Sequence, residues 1–118
     1  MNDKFFGDEG LYRAVLPTEM FWKKNGRVSS AVFRDKNGLS VDRGDYRSDE
    51  EVKADMSKRL SGTIIKVRVS NCLETEALVK YLPSRNNKYH SEIHGSESEL
   101  ILSASQRRHL AMCAQIVD

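Results

Sequence analysis

The stretch YHSEIHG, residues 89–95, carries two of the chain's three histidines with a glutamate between them. Histidine titrates nearest neutral pH of all side chains, and its ring nitrogens can move a proton or hold a metal. On an extended chain His90, Glu92 and His94 share one face, while Tyr89, Ser91 and Ile93 share the other. Same-face neighbours lie roughly 6.5 to 7 Å apart, so the two imidazoles, two such steps apart, would stand about 13 Å apart, too far to clamp one ion. A helix would bring both rings to one side, but Gly95 and the β-favouring Tyr89 and Ile93 oppose a helix here. Nor does the glutamate stand where an HExxH site has it. The expectation is an edge strand with a polar outer face, Tyr89 and Ile93 in the core, and no metal; the alternative is that His90 exchanges a proton in a small cleft.

Other residues could join such a cleft. Arg13 lies inside the apolar run LYRAV, where a guanidinium must face solvent or be paired; it could also serve as a fork for an anion. Ser29, Ser30 and Ser40 put three hydroxyls on two neighbouring segments, and hydroxyls beside an arginine can hold a phosphate. No GxSxG elbow marks a nucleophile, and no glycine-rich phosphate loop is present, so no cofactor is expected. Cys72 and Cys113 form no CxxC and no Cys/His ligand spacing, and read as reduced thiols packed as small hydrophobes. His109 reads as solvated surface. The alternating charges Asp42, Arg43, Asp45 and Arg47 read as a loop facing water.

The elements that would position these residues follow from periodicity. LYRAVL (11–16), TIIKVRV (63–69), LVKYL (78–82) and YHSEI (89–93) read as strands, and VSSAVF (28–33) with GLSVD as a hairpin through RDKNG. SDEEVKADMSKRL (48–60) is the clearest helix. Ser48 and Glu51 form a capping box, and Val52, Met56 and Leu60 make its buried stripe. Ser103 and Gln106 form a second box, opening a helix over 104–117 that would dock through Leu110, Cys113, Ala114 and Val117. The sum is an α+β fold: a mainly antiparallel sheet of four to six strands packed against these helices, gathered on one face. Residues 1–10 read as a loose arm, and 11–118 as a single domain.

LYRAV, then GRVSSAVF, then GLSV, then a proline loop and the histidine of YHSEI, resembles a family of small uncharacterised bacterial proteins. The resemblance spans residues 11–95, and GRVSSAVF followed by GLSV is its most specific element. It implies no activity, but it directs attention to Arg13, Ser29, Ser30, Ser40 and His90 as a set. Ser91 and Glu92 depart from the small and aliphatic residues that follow the histidine in that family, and the C-terminal helix is shorter.

Composition bounds the function classes. With 19 basic and 17 acidic residues among 118 and a pI near 8.6, the chain lacks the concentrated charge of a nucleic-acid domain. Lys23, Lys24, Arg27 and Arg34 around Phe21 and Trp22 are the one basic-aromatic patch. The acidic N-terminus is no export signal, and no apolar run approaches the ~20 residues of a membrane helix, so a cytoplasmic location is expected. Two functions remain. One is a protein-binding or accessory module, for instance in a toxin, immunity or defence system. The other is an enzyme or sensor that binds a nucleotide-like or phosphorylated ligand through Arg13, Ser29, Ser30, Ser40 and His90. The order Arg, Ser-Ser, Glu resembles the arginine–serine–glutamate layout of ADP-ribosyltransferases, with Glu92 as the glutamate, though the spacing is too short.

Overall fold

The computed structural model describes residues 3–117. In chain order its main elements are β1 (Gly10–Val15), β2 (Leu39–Arg43), α1 (Asp49–Ser57), β3 (Thr63–Arg68), α2 (Val69–Leu73), β4 (Leu78–Tyr81), β5 (His90–His94), α3 (Ala104–Cys113) and β6 (Gln115–Ile116). The strands form one antiparallel sheet in the order β4-β5-β2-β1-β3-β6, an α+β architecture. No helix among the described residues is long and apolar enough to cross a membrane.

Strand alternation divides the sheet into two faces. Leu11, Val15, Leu39, Val41, Ile65, Val67 and Ile93 point into the larger core, which α2 and α3 close with Val69, Cys72, Leu110 and Ala111. Tyr12 and Ile64 point the other way, into a smaller core with Val52 and Met56 of α1 and with Val117. The helices therefore lie on both faces of the sheet, not on one. Both capping boxes form: Ser48 Oγ accepts from Glu51 N–H at 3.2 Å and Ser103 Oγ from Gln106 N–H at 3.1 Å, each with its reciprocal bond. Leu60 falls outside α1 and is exposed, so the buried stripe of that helix is Val52 and Met56 alone.

Three segments differ from their sequence pattern. VSSAVF forms no strand; Ser30–Phe33 is a 3₁₀ turn that buries the adjacent Val32 and Phe33. A strand sends neighbours to opposite faces, so burying both on one side requires a helical turn. The hairpin expected between VSSAVF and GLSVD is thus absent, and β2 pairs with β5 and β1 instead. The C-terminal helix stops at Cys113, where Ala114 turns extended; Ile116 then pairs with Ile65, and Val117 enters the smaller core. The β-branched pair Ile116-Val117 suits this edge better than a fourth helical turn.

The charged run after Val41 does not face water. Asp42 and Arg43 are buried, Arg43 to 2% exposure. The Arg43 guanidinium donates to both carboxylate oxygens of Glu9, at 2.7 and 2.9 Å, and to Lys4 O at 2.7 Å. It lies over the rings of Phe5 and Tyr81, 4.2 and 4.9 Å from their centroids. The described part of the segment expected to be a loose arm is thereby tied to β2, and Gly10 already belongs to β1. At the start of α1, Tyr12 Oη donates to Asp49 Oδ1 at 2.5 Å, and Lys66 Nζ reaches the same carboxylate at 3.0 Å. These donors, the Tyr12 hydroxyl first, hold the Asp49 carboxyl below its ordinary range.

Glu9→Ala is expected to cost about 3–5 kcal/mol in urea unfolding, because it leaves the Arg43 charge buried without its carboxylate. Tyr12→Phe should cost about 1 kcal/mol at neutral pH. A depressed carboxyl contributes stability that is present above its unfolded value and lost as pH falls through the folded one. The Tyr12→Phe deficit should therefore shrink as the solution is taken from neutral into the acid range below pH 4. A deficit independent of pH would show that the tyrosine acts by packing alone.

Candidate functional site

The sheet opens between β1 and β2. These strands pair only at Leu11 with Arg43 and Tyr12 with Asp42; beyond that, β1 follows β3 and β2 follows β5. Arg43 N–H donates to Tyr89 O beside β5, so by alternation the polar backbone groups of Ser40 face the side from which β1 has parted. Arg13 fills that position. Its Nη1 donates to Ser40 O at 2.8 Å and its Nε to Val32 O at 3.1 Å, joining β1, β2 and the 3₁₀ turn. The arginine read as an outward side chain or an anion fork is first of all a backbone bridge.

Above this opening lies a concavity of about 470 Å³, whose lining includes Arg13, Ser40, Arg59, Asn87 and His90 beside the apolar Leu16 and Leu60. That volume is within the usual range for small-molecule sites. His90 Nδ1 lies 2.9 Å from Leu82 O, and Nε2 lies 3.3 Å from Ser40 Oγ. A carbonyl oxygen only accepts, so Nδ1 carries the proton of the neutral ring. Nε2 is then left to accept from the Ser40 hydroxyl. This is a hydroxyl–imidazole pair whose ring is oriented by a third group, an arrangement suited to proton transfer.

The charges lining the concavity are unevenly matched. Arg59 donates to Asp42 at 2.7 Å and to Asp55 at 3.2 Å, and Asn87 also donates to Asp42. Arg13 has no ion-pair partner among the described residues; its hydrogen bonds go to neutral carbonyls. Burial pulls its pKa down from the usual arginine value, opposed by the Asp35 charge. The half-buried guanidinium therefore brings a positive charge that no carboxylate contacts.

Of the five residues singled out in the sequence, Arg13, Ser40 and His90 line this concavity and Ser29 and Ser30 do not. Ser29 Oγ donates to Met20 O at 2.6 Å, fixing the turn before Ser30–Phe33. Glu92 sits beside His94, 2.9 Å from its Nε2, outside the concavity, so it does not stand as the third member of an Arg-Ser-Glu set there. The basic-aromatic patch is also dispersed. Phe21 and Trp22 pack against the larger core, Trp22 Nε1 donates to Leu16 O, and Arg27 is bonded to Met112 O. Asn87 and Arg59 were not singled out from sequence; they come from a polar loop and a helix end, where such residues usually face water.

A second concavity, of about 240 Å³, lies at the start of α1 beside Phe6 and Tyr46. Lys66 is paired with Asp49, and Arg47 with Asp55 and the Tyr89 ring, while Arg68, like Arg13, bonds a neutral carbonyl, Asp8 O. Its lining carries three carboxylates, Asp8, Glu9 and Asp49, against the single Asp42 of the Arg13 opening, and so suits an anionic ligand less. Comparison of the chain with protein-family models, with curated proteins and with solved structures returns no match.

The His90 tautomer is directly measurable. In long-range ¹H–¹⁵N spectra of the neutral ring, Nδ1 should show the protonated shift and Nε2 the unprotonated one. Ser40→Ala should leave that assignment in place, since Leu82 O fixes it. A dominant Nε2–H tautomer would remove the hydroxyl–imidazole pair.

Proposed function

We propose that the chain binds a small phosphorylated or nucleotide-like ligand in the Arg13–Ser40–His90 concavity, and that His90 moves a proton there. The observation that carries this is the Arg13 guanidinium, half-buried beside the opening with neutral partners only. An anion is the ligand whose charge it would balance. Ser40 offers a hydroxyl to a phosphate oxygen, and the exposed Leu16 and Leu60 offer apolar surface to the rest of the ligand. With its Nδ1–H held by Leu82 O, His90 presents Nε2 as a base; once the Ser40 proton turns to the phosphate, Nε2 is free for a substrate hydroxyl. Ser29 and Ser30 have no part in this version of the site.

The test is thermal unfolding against a panel of inorganic phosphate, pyrophosphate, sugar phosphates and nucleotides. A ligand at a hundredfold excess over its Kd stabilises by about 2.7 kcal/mol, a shift of several degrees. At least one phosphorylated member should produce it in the parent protein, and Ser40→Ala and His90→Ala should both diminish it. No shift across the panel would leave the protein-binding module as the better account. Equal shifts in parent and variants would move the site elsewhere on the surface.

A further inference from the structure

α3 packs against α2. His109 and Cys113 are four residues apart on α3, so they share one face of the helix. Glu74, the residue that caps α2, comes up beside them. His109 Nε2 is 2.9 Å from Glu74 Oε1 and 3.7 Å from Cys113 Sγ, and all three ligand atoms lie within 4.8 Å of one another. Glu74 is exposed; His109 and Cys113 are half-buried. No other group of three such residues is gathered this closely among the described residues.

Hydrogen bonding accounts poorly for this cluster. One ring nitrogen faces both a carboxylate and a thiol. It has one proton at most, and that proton goes to Glu74 at the shorter distance. The thiol gains nothing from the ring. A catalytic Cys–His–acid relay is also excluded in this arrangement, because there the thiol and the acid use different ring nitrogens. Here both use Nε2.

Metal coordination accounts for it better. Bond lengths of about 2.0–2.1 Å for nitrogen and oxygen and 2.3 Å for sulfur give tetrahedral edges of roughly 3.3 Å (N to O) and 3.6 Å (S to N). The Sγ–Nε2 separation of 3.7 Å already matches its edge, and the Nε2–Oε1 separation of 2.9 Å needs to open by only a few tenths of an ångström. From these distances and this donor set we infer that Glu74, His109 and Cys113 form a site for a zinc-class divalent cation, with the fourth position open to water. One sulfur, one nitrogen and one oxygen donor suit a borderline-soft ion and not magnesium or calcium.

The protons balance simply. The Cys113 thiol, whose pKa burial and the Glu74 charge push above its ordinary value, gives up its proton to solvent as the thiolate binds. The His109 ring shifts its proton to Nδ1, freeing the Nε2 lone pair. Thiolate and carboxylate together neutralise the dication. Asn71 Nδ2, 3.4 Å from Glu74 Oε1, is placed to orient the carboxylate from behind.

The reduced, tag-free protein titrated with Co²⁺ should develop a cobalt–thiolate charge-transfer band that saturates at one equivalent and is displaced by Zn²⁺. Cys113→Ser should abolish the band, and His109→Gln and Glu74→Gln should each weaken binding at least tenfold. In the parent protein, Zn²⁺ should slow alkylation of Cys113 by iodoacetamide. Cys72 is fully buried and should remain unreactive with or without metal. This protection needs no variant and stands even where a substitution unfolds the chain. A missing thiolate band, or Cys113 alkylation at the same rate with and without Zn²⁺, would overturn the site. An unchanged affinity in Cys113→Ser and His109→Gln would do so too.

Discussion

The parting of β1 from β2 is the constraint on which the rest of the structure depends. A sheet that opens in its middle leaves backbone carbonyls without ladder partners, and each costs free energy if it is buried unsatisfied. Arg13 resolves this by substituting a guanidinium for the missing strand contacts, reaching Ser40 O and Val32 O together. The planar fork of arginine suits two acceptors on different elements, which the point charge of lysine does not. The same arrangement produces the concavity. Where the strands diverge, Ser40 and His90 are left beside open space instead of beneath a neighbouring strand.

Several other charged groups of the sheet and its helices are matched with carboxylates. Arg43 takes Glu9, Arg59 takes Asp42 and Asp55, and Lys66 takes Asp49. Three of these pairs join distant parts of the chain: Arg43–Glu9 the N-terminal segment to β2, Arg59–Asp42 the residues after α1 to β2, and Lys66–Asp49 β3 to the start of α1. Buried or half-buried pairs of this kind contribute little net stability over apolar packing, but breaking one is costly. They favour one arrangement of the sheet and its helices. At the opening itself Arg13 bonds only neutral carbonyls, and its charge gives the proposed ligand its sign.

Much of the fold is legible in the sequence because it rests on local signals. Both capping boxes are written in single residues, Ser48 with Glu51 and Ser103 with Gln106, and the alternation of TIIKVR marks β3 without ambiguity. The places that resist reading are those where a distant partner decides. Asp42 and Arg43 look like loop charges until Arg59, Asn87 and Glu9 arrive to pair with them. Val32 and Phe33 look like opposite faces of a strand until the core takes both. Arg13, Ser40 and His90 were legible as residue types capable of chemistry. That Ser29 is committed to Met20 O while Ser40 meets His90 is a tertiary fact. The Glu74–His109–Cys113 cluster is not read from the sequence, where Cys113 reads as a thiol without Cys/His ligand spacing and His109 as solvated surface; the carboxylate that completes the group comes from another helix.

The central claim is that the Arg13–Ser40–His90 opening binds an anion. It is tested most directly by following the Arg13 Nε–H and His90 ring resonances while a nucleoside monophosphate or inorganic phosphate is added. The account predicts that these signals move together along one saturable curve, with smaller changes at Ser40 and Asn87. Signals that stay fixed while others move around Phe6 and Tyr46, or that do not move at all, would contradict it.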